Sequence, residues 1–189
     1  MKNFTTFIAL LLAVNCYAQT NPNKESITTL QNYQEKIYGD FLGKKFPDFD
    51  TIFSDSLVLT KMDFTNKVVF INFWSEYCSP CIAEIEGLNQ LYSKLNKNNN
   101  FLYVSFSYDS ENSIKRLVRK FDIKYNVYHL DKKEYLRLNY NNGIPTSIII
   151  DQDGIIRYFI CGGPATKEQA TEYLMSYTYP KILQLLENK

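Results

Sequence analysis

The sequence predicts an α/β domain built on a mixed central β-sheet flanked by helices. Apolar, β-branched runs alternate with segments of helical period, the last two such runs form a hairpin pattern, and 189 residues suit one hydrophobic core. Hydrophobic residues make up 45% and charged residues 22%, the balance of a globular chain rather than a disordered one. Lys and Arg number 21 against 20 Asp and Glu, so no basic footprint for nucleic acid is present.

The first stretch, "MKNFTTFIALLLAVNCYAQT", sets Lys2 before an apolar core from Phe7 to Val14 and ends in Cys16-Tyr17-Ala18. Small residues three and one before a cleavage point mark residues 1–18 as a secretory signal peptide, cut between Ala18 and Gln19. Two other readings of the stretch are a buried strand and a lipid anchor on Cys16, although Asn15 suits a lipoprotein signal poorly. No later segment approaches the roughly twenty apolar residues of a membrane helix. Cleavage would remove Lys2 and no acid, leaving a formally neutral protein whose cysteines meet an oxidising compartment. Residues 19–40 read as a polar lead-in, and residues 41–189 as the folded domain.

"GKKFPDF" (43–49) begins that domain in extended form. "SLVLT" (56–60) alternates like a strand, and "KVVFINF" (67–73) is the nearly continuous apolar run of a strand buried on both faces. Ile82, Ile85, Leu88, Leu91, Tyr92 and Leu95 then recur at helical spacing, ended by "NKNNN" (96–100). "FLYVSFS" (101–107) reads as a second buried strand, 110–121 as an amphipathic helix, 124–130 as an extended segment and 132–140 as a short helix. In 146–161 two apolar runs flank Asp151-Gln152-Asp153-Gly154, residues that tolerate a left-handed backbone, so this is a hairpin. "TKEQ" (166–169) has the form of a capping box, and Pro180 should divide the helix that follows it.

Cys78 and Cys81 fall where the apolar strand gives way to the helix. The first helical turn offers unpaired N–H groups and the positive end of the macrodipole, both of which favour a thiolate. Thiol pKa values at such Cys-x-x-Cys starts fall from near 8.5 to ~7 or below. Cys78 is then the nucleophile, and Cys81, one turn along, can resolve a mixed disulfide formed on it. Pro80 fits, because a proline in the first turn loses no hydrogen bond. Two other uses of the pair stay open: a zinc site would need His129 and Cys161 as further ligands, and a purely structural disulfide would close too short a loop to constrain the unfolded chain much. No metal or cofactor is expected.

"VVFINFWSEYCSPCIAEIEGLNQLY" resembles the active-site segment of thioredoxin-fold proteins, in particular the exported TlpA/ResA-type thiol-disulfide oxidoreductases. The likeness spans about residues 40–189: Gly43, Phe46, Pro47, Asp48 and Phe49, then Asn-Phe-Trp, Cys-x-Pro-Cys, "GIPT" at 143–146 and an Asp-x-x-Gly turn. It implies a thioredoxin-like fold, Cys78 and Cys81 as a redox-active disulfide, and Pro145 as a cis-proline beside it, with Ile144 offering its backbone to the substrate chain. It also implies that Glu84, three residues after Cys81, lies near the pair and tunes it; as a half-buried carboxylate of raised pKa it could exchange a proton with the resolving thiol. Asn72 matches these exported proteins where thioredoxins proper carry a buried aspartate. Tyr77 replaces the usual Trp before the first cysteine, which bears on which partners dock, and Glu86 stands where a proline is common. Implied partners are protein dithiols or disulfides, with apocytochrome c among the candidates, and a membrane-bound thiol electron donor. Cys161 reads as a small buried hydrophobe and His129 as a surface or edge residue. The leading competitor is a Cu(I) chaperone holding the ion on Cys78, Cys81 and His129. A thiol peroxidase would need Thr-x-x-Cys, of which Ser75 is only an echo.

Overall fold

The computed structural model describes residues 38–187, so the expectations for the signal peptide, for Cys16 and for most of the lead-in lie outside the described residues. Strands β1 (Ile52–Ser54) and β2 (Leu57–Leu59) pair as a small antiparallel ribbon. The main sheet has β3 (Val68–Trp74), β4 (Phe101–Ser107), β5 (Val127–His129), β6 (Thr146–Ile150) and β7 (Ile156–Cys161) in the order β5-β4-β3-β6-β7. The helices are α1 (Ser79–Leu95), α2 (Glu111–Lys120), α3 (Lys132–Leu138), α4 (Lys167–Tyr173) and α5 (Tyr179–Glu187).

All seven residues of β3 are buried, as a run with no polar alternation requires. Its neighbours differ in direction: β4 is parallel, reached through α1, and β6 is antiparallel. Residues of β3 alternate between two cores. Val68, Phe70 and Trp74 face Ile85, Leu88, Leu91 and Leu95 of α1, together with Ile114 and Leu117 of α2 and Ile182 of α5. Val69, Ile71 and Phe73 face Tyr135 and Leu138 of α3, Phe49, and Leu59 of the small ribbon. The described chain begins on this second face, where Tyr38 and Phe41 stack on Phe159 of β7.

The 146–161 hairpin forms about Asp151–Gly154, where Gly154 takes φ +76° and Asp151 Oδ1 accepts from the N–H groups of Asp153 and Ile155. Thr166 caps α4 by accepting from the Gln169 N–H at 3.3 Å. The C-terminal helix is divided as expected, but the break precedes Pro180: residues Leu174–Thr178 are π-helical, with the Tyr179 N–H donating to the Leu174 carbonyl. Pro180 is the second residue of α5 and follows directly on this π-helical turn. Strand β1 is absent from the sequence reading, because "IFS" is too short to show a period.

Helix α4 lies against α1 at Gly87, where a Cβ would come 2.8 Å from Leu174 Cδ1 and 2.9 Å from Thr171 Cα. Alanine there gains helix propensity of about 1 kcal/mol but meets backbone that cannot yield as a side chain would. Gly87→Ala should therefore lose about 1–2 kcal/mol in net stability by chemical denaturation, whereas the same change at Gly39, which has open space, should be near neutral.

Candidate active site

Strand register brings four loops to one end of the sheet. Trp74 pairs with Ser107, Phe73 with Thr146, and Thr146 with Cys161. The residues just beyond these positions therefore meet: Ser75–Cys78 after β3, Asp109 after β4, Ile144–Pro145 before β6, and Gly162–Gly163 after β7.

Cys78 is the N-cap of α1, and its Sγ accepts the Cys81 N–H at 3.2 Å. This donor is one of the unpaired amides of the first turn, so the helix end aims its positive charge at the Cys78 sulfur. Pro80 occupies that turn without removing a bond. Cys78 and Cys81 are joined by a disulfide with S–S 2.01 Å. Their exposures are unequal, 8% for Cys78 and 2% for Cys81, so Cys78 is the more accessible residue of the pair. Beside it Tyr77 is 88% exposed, a large aromatic surface next to the reactive pair.

The loop that carries Tyr77 is itself fixed. Asp109, buried behind it, accepts from Ser75 Oγ at 3.0 Å, the Glu76 N–H at 2.7 Å and Ser107 Oγ at 2.8 Å. Glu76 in turn accepts from Ser113 Oγ of α2 and pairs with Arg116. Sequence reasoning passed over Asp109; its only visible trace is an acid two residues past a buried strand. The Ser75 hydroxyl is committed to Asp109, which removes the residue that hinted at a peroxidase.

Pro145 is buried behind a cis peptide bond from Ile144, and Ile144 is partly exposed. Gly162, at φ +81°, donates its N–H to the Pro145 carbonyl at 2.8 Å, which fastens the β7 end to the proline loop. Cys161 lies outside the disulfide and is half-exposed rather than buried; its Sγ is 3.5 Å from the Gly143 carbonyl. A hydrogen-bonding place in the loop thus replaces the expected role of a core hydrophobe.

Glu84 departs furthest from expectation. It is enclosed, 6% exposed, rather than half-buried at the stripe's edge, and its Oε2 has no hydrogen-bond partner among the described residues. Burial pushes its pKa from 4.5 up to about 8. Asn72, on the same face of β3 as Phe70 and Trp74, is buried and donates to Ser147 Oγ at 3.4 Å; being neutral, it adds no second charge to this interior. Glu86 points outward and pairs with Lys167 of α4.

His129, on edge strand β5, has its Nδ1 2.8 Å from the Asp109 carbonyl. Among the described residues no three His, Cys, Asp or Glu side chains come together to hold a metal ion, so the Cu(I) site of Cys78, Cys81 and His129 is not formed.

A mixed sheet whose central strand runs into a Cys-x-x-Cys helix cap, with a cis-proline in the loop at the same end of the sheet, defines a thioredoxin-like thiol-disulfide redox protein. The family model of AhpC/TSA matches residues 42–159. The ResA thiol-disulfide oxidoreductase of Bacillus thuringiensis is 31% identical over 178 residues, 94% of this chain and 98% of that protein. A ResA of Bacillus cereus is 32% identical over 80% of this chain and 87% of its own. Among solved structures, a Chlorobium tepidum protein assigned as the thiol:disulfide interchange protein DsbE superposes with TM-score 0.60 at 27% identity, over 71% of this chain and 96% of that one. A Bacteroides thetaiotaomicron protein at 19% identity, with TM-score 0.66 over 77% of this chain and 90% of its own, shares the fold. The chain belongs to the AhpC/TSA family and, by its match along nearly the whole length, to the ResA-type thiol-disulfide oxidoreductases.

Removing the Asp109 carboxylate leaves two hydroxyls and one N–H without their acceptor in a buried place. Asp109→Ala should cost about 2–3 kcal/mol in denaturant unfolding, and Asp109→Asn, which keeps one acceptor oxygen, less. Glu84 gives stability a defined slope with pH. Its folded pKa is raised, so its contribution is complete below 4.5 and is lost as pH rises through about 8. Compared with Glu84→Gln, the oxidised protein should lose on the order of 5 kcal/mol between those limits and be parallel to it above them.

Proposed function

We propose that this chain works outside the cytoplasm as a reductase of protein disulfides, with Cys78 as the attacking thiol, Cys81 as the resolving thiol and Glu84 as the proton carrier. The observation that carries this reading is the Cys81 N–H pointing at Cys78 Sγ on the cap of a 17-residue helix. That amide and the helix end stabilise negative charge on Cys78 and not on Cys81, which sets the direction of attack.

In the first step the Cys78 thiolate attacks a substrate disulfide. A bond forms between Cys78 Sγ and one substrate sulfur, and the other substrate sulfur leaves as a thiolate that takes a proton from water. The Cys81 thiol then gives its proton to the Glu84 carboxylate, attacks Cys78 Sγ and expels the second substrate thiolate. Two electrons have passed to the substrate, and the protein is left as the Cys78–Cys81 disulfide. A protonated Glu84 suits this end state, since at pH 7 a carboxyl titrating near 8 is ionised in only about one molecule in ten. Re-reduction by a thiol donor reverses these steps, with Glu84 returning the proton to Cys81.

Substrate would approach over Tyr77 and lay its backbone along Ile144–Pro145, with Pro80 shaping the far side. The signal-peptide reading of residues 1–18 supports export, which would place the electron donor in the membrane. Membership of the ResA type favours reduction over oxidation, with exported proteins and apocytochrome c as substrates.

The test is the equilibrium reduction potential of the Cys78–Cys81 pair against a dithiol buffer, with variants in parallel. A potential at or below about −250 mV supports a reductase, and one near −120 mV would make the protein an oxidant instead. Cys81→Ser should trap a mixed disulfide on Cys78, whereas Cys78→Ser should trap none. Glu84→Gln should slow resolution by roughly ten- to a hundredfold and remove the inflection near pH 8 from its rate profile.

A further inference from the structure

Two adjacent glycines follow β7, and they are glycines for different reasons. Gly162 needs its freedom of backbone, at φ +81°. Gly163 has no such requirement; what it lacks is room. A Cβ on Gly163 would lie 2.3 Å from Glu84 Oε1, 3.2 Å from Glu84 Cδ and 3.3 Å from Pro145 Cγ. The backbone of Gly163 therefore rests on the Glu84 carboxyl group while Gly162 bonds the Pro145 carbonyl. The same two residues close over the acid and hold the loop that would receive substrate.

We propose that Gly163 is a positioning residue that keeps water from the Glu84 carboxyl group and locks it against the Pro145 loop. The role assigned to it rests on Glu84 acting as the proton carrier. Helix α1 holds the acid from its own side, and Tyr103 of β4, Tyr125 ahead of β5 and Tyr173 of α4 are the ionisable groups within its electrostatic reach. All three tyrosines have raised pKa values and stay neutral, so none adds a negative charge beside Glu84, and a phenol has no positive form to offer it. Lys167 of α4 is engaged on the outside of α1 by Glu86. Cys78 and Cys81, on the acid's own helix, are tied up in the disulfide.

A methyl group at Gly163 can be relieved in two ways. Either the carboxyl group is pushed from its place or the 162–163 segment lifts off it, and both admit water to Glu84. The readout is the titration of the Glu84 carboxyl carbon by carbon-13 NMR in the oxidised full chain, assigned by its absence in Glu84→Gln. The wild type should titrate near 8, and Gly163→Ala should move the midpoint down by at least about one unit toward 4.5. An unmoved midpoint in a folded Gly163→Ala overturns the proposal, as does a wild-type carboxyl that already titrates in the ordinary range. Should Gly163→Ala fail to fold, Glu84→Asp in the same background withdraws the carboxyl group by one methylene and should restore folding; failure to restore it also overturns the proposal. This titration is separate from catalysis. An unchanged resolution rate in Glu84→Gln would sink the proton-carrier reading, while the effect of Gly163 on the carboxyl group would still stand.

Discussion

The structure depends on the register of β3 between a parallel and an antiparallel neighbour. With Trp74 opposite Ser107, and Phe73 opposite Thr146, the loops leaving β3 and β4 and the loop entering β6 must emerge at the same end. The further pairing of Thr146 with Cys161 adds the chain leaving β7. A one-residue slip in β3 would turn its faces over, sending Val69, Ile71 and Phe73 against α1 and removing Asp109 from reach of Ser75. Because β3 is buried on both faces, that slip would misplace two cores at once, so the register is strongly specified. The redox pair needs no scaffold of its own: it inherits its surroundings from sheet pairing.

This arrangement sets one buried charge-bearing group against the stability of the fold. Glu84 sits in the apolar stripe of α1, three residues after Cys81, with an oxygen that nothing described bonds. A leucine there would be the ordinary choice for a helix core. The acid remains neutral through most of the physiological range, and that neutrality makes it tolerable, since an ionised carboxylate in the same place would face full desolvation without a partner. A group that is costly when charged is a poor structural element, and its place one helical turn from Cys81 is what the proposed proton exchange requires of it. Asn72 on the neighbouring strand fits this division, because a second carboxyl group under the same helix would compete for the proton.

Much of this was legible in the sequence because it is local. The apolar run 67–73, the helical stripe from Ile82 to Leu95, the hairpin at Asp151–Gly154 and the Cys-x-Pro-Cys cap all announce themselves within a few residues. What escaped is what long-range packing decides. Strand β1 exists because β2 pairs with it, not because three residues prefer it. Glu84 looked half-exposed from α1 alone, since helical periodicity knows nothing of Gly163 arriving from some eighty residues away. The role of Asp109 is equally invisible from its neighbours: the Ser75 hydroxyl and Glu76 amide that it holds belong to a strand end more than thirty residues earlier. The C-terminal break falls before Pro180 because the π-helical turn at Leu174–Thr178 satisfies the backbone in a way that a proline signal does not foretell.

Rigidity and exposure are divided sharply around the pair. Asp109 secures Ser75 and Glu76, the helix cap secures Cys78, and Gly162 secures the Pro145 loop, yet Tyr77, between two fixed residues, projects almost wholly into solvent. An aromatic side chain held by its backbone but free at its ring loses little further entropy when a partner covers it, and it offers a large apolar area for contact. The same fixing prevents the loop from rearranging to bury Tyr77 in the free protein. The exposed ring thus stands apart from the sulfurs and the acid, which barely touch solvent, and under the proposed function it is the surface a substrate would meet first. Changes at Tyr77 can then alter which partners dock without disturbing the thiolate, because no hydrogen bond found at Cys78, Cys81 or Glu84 passes through it.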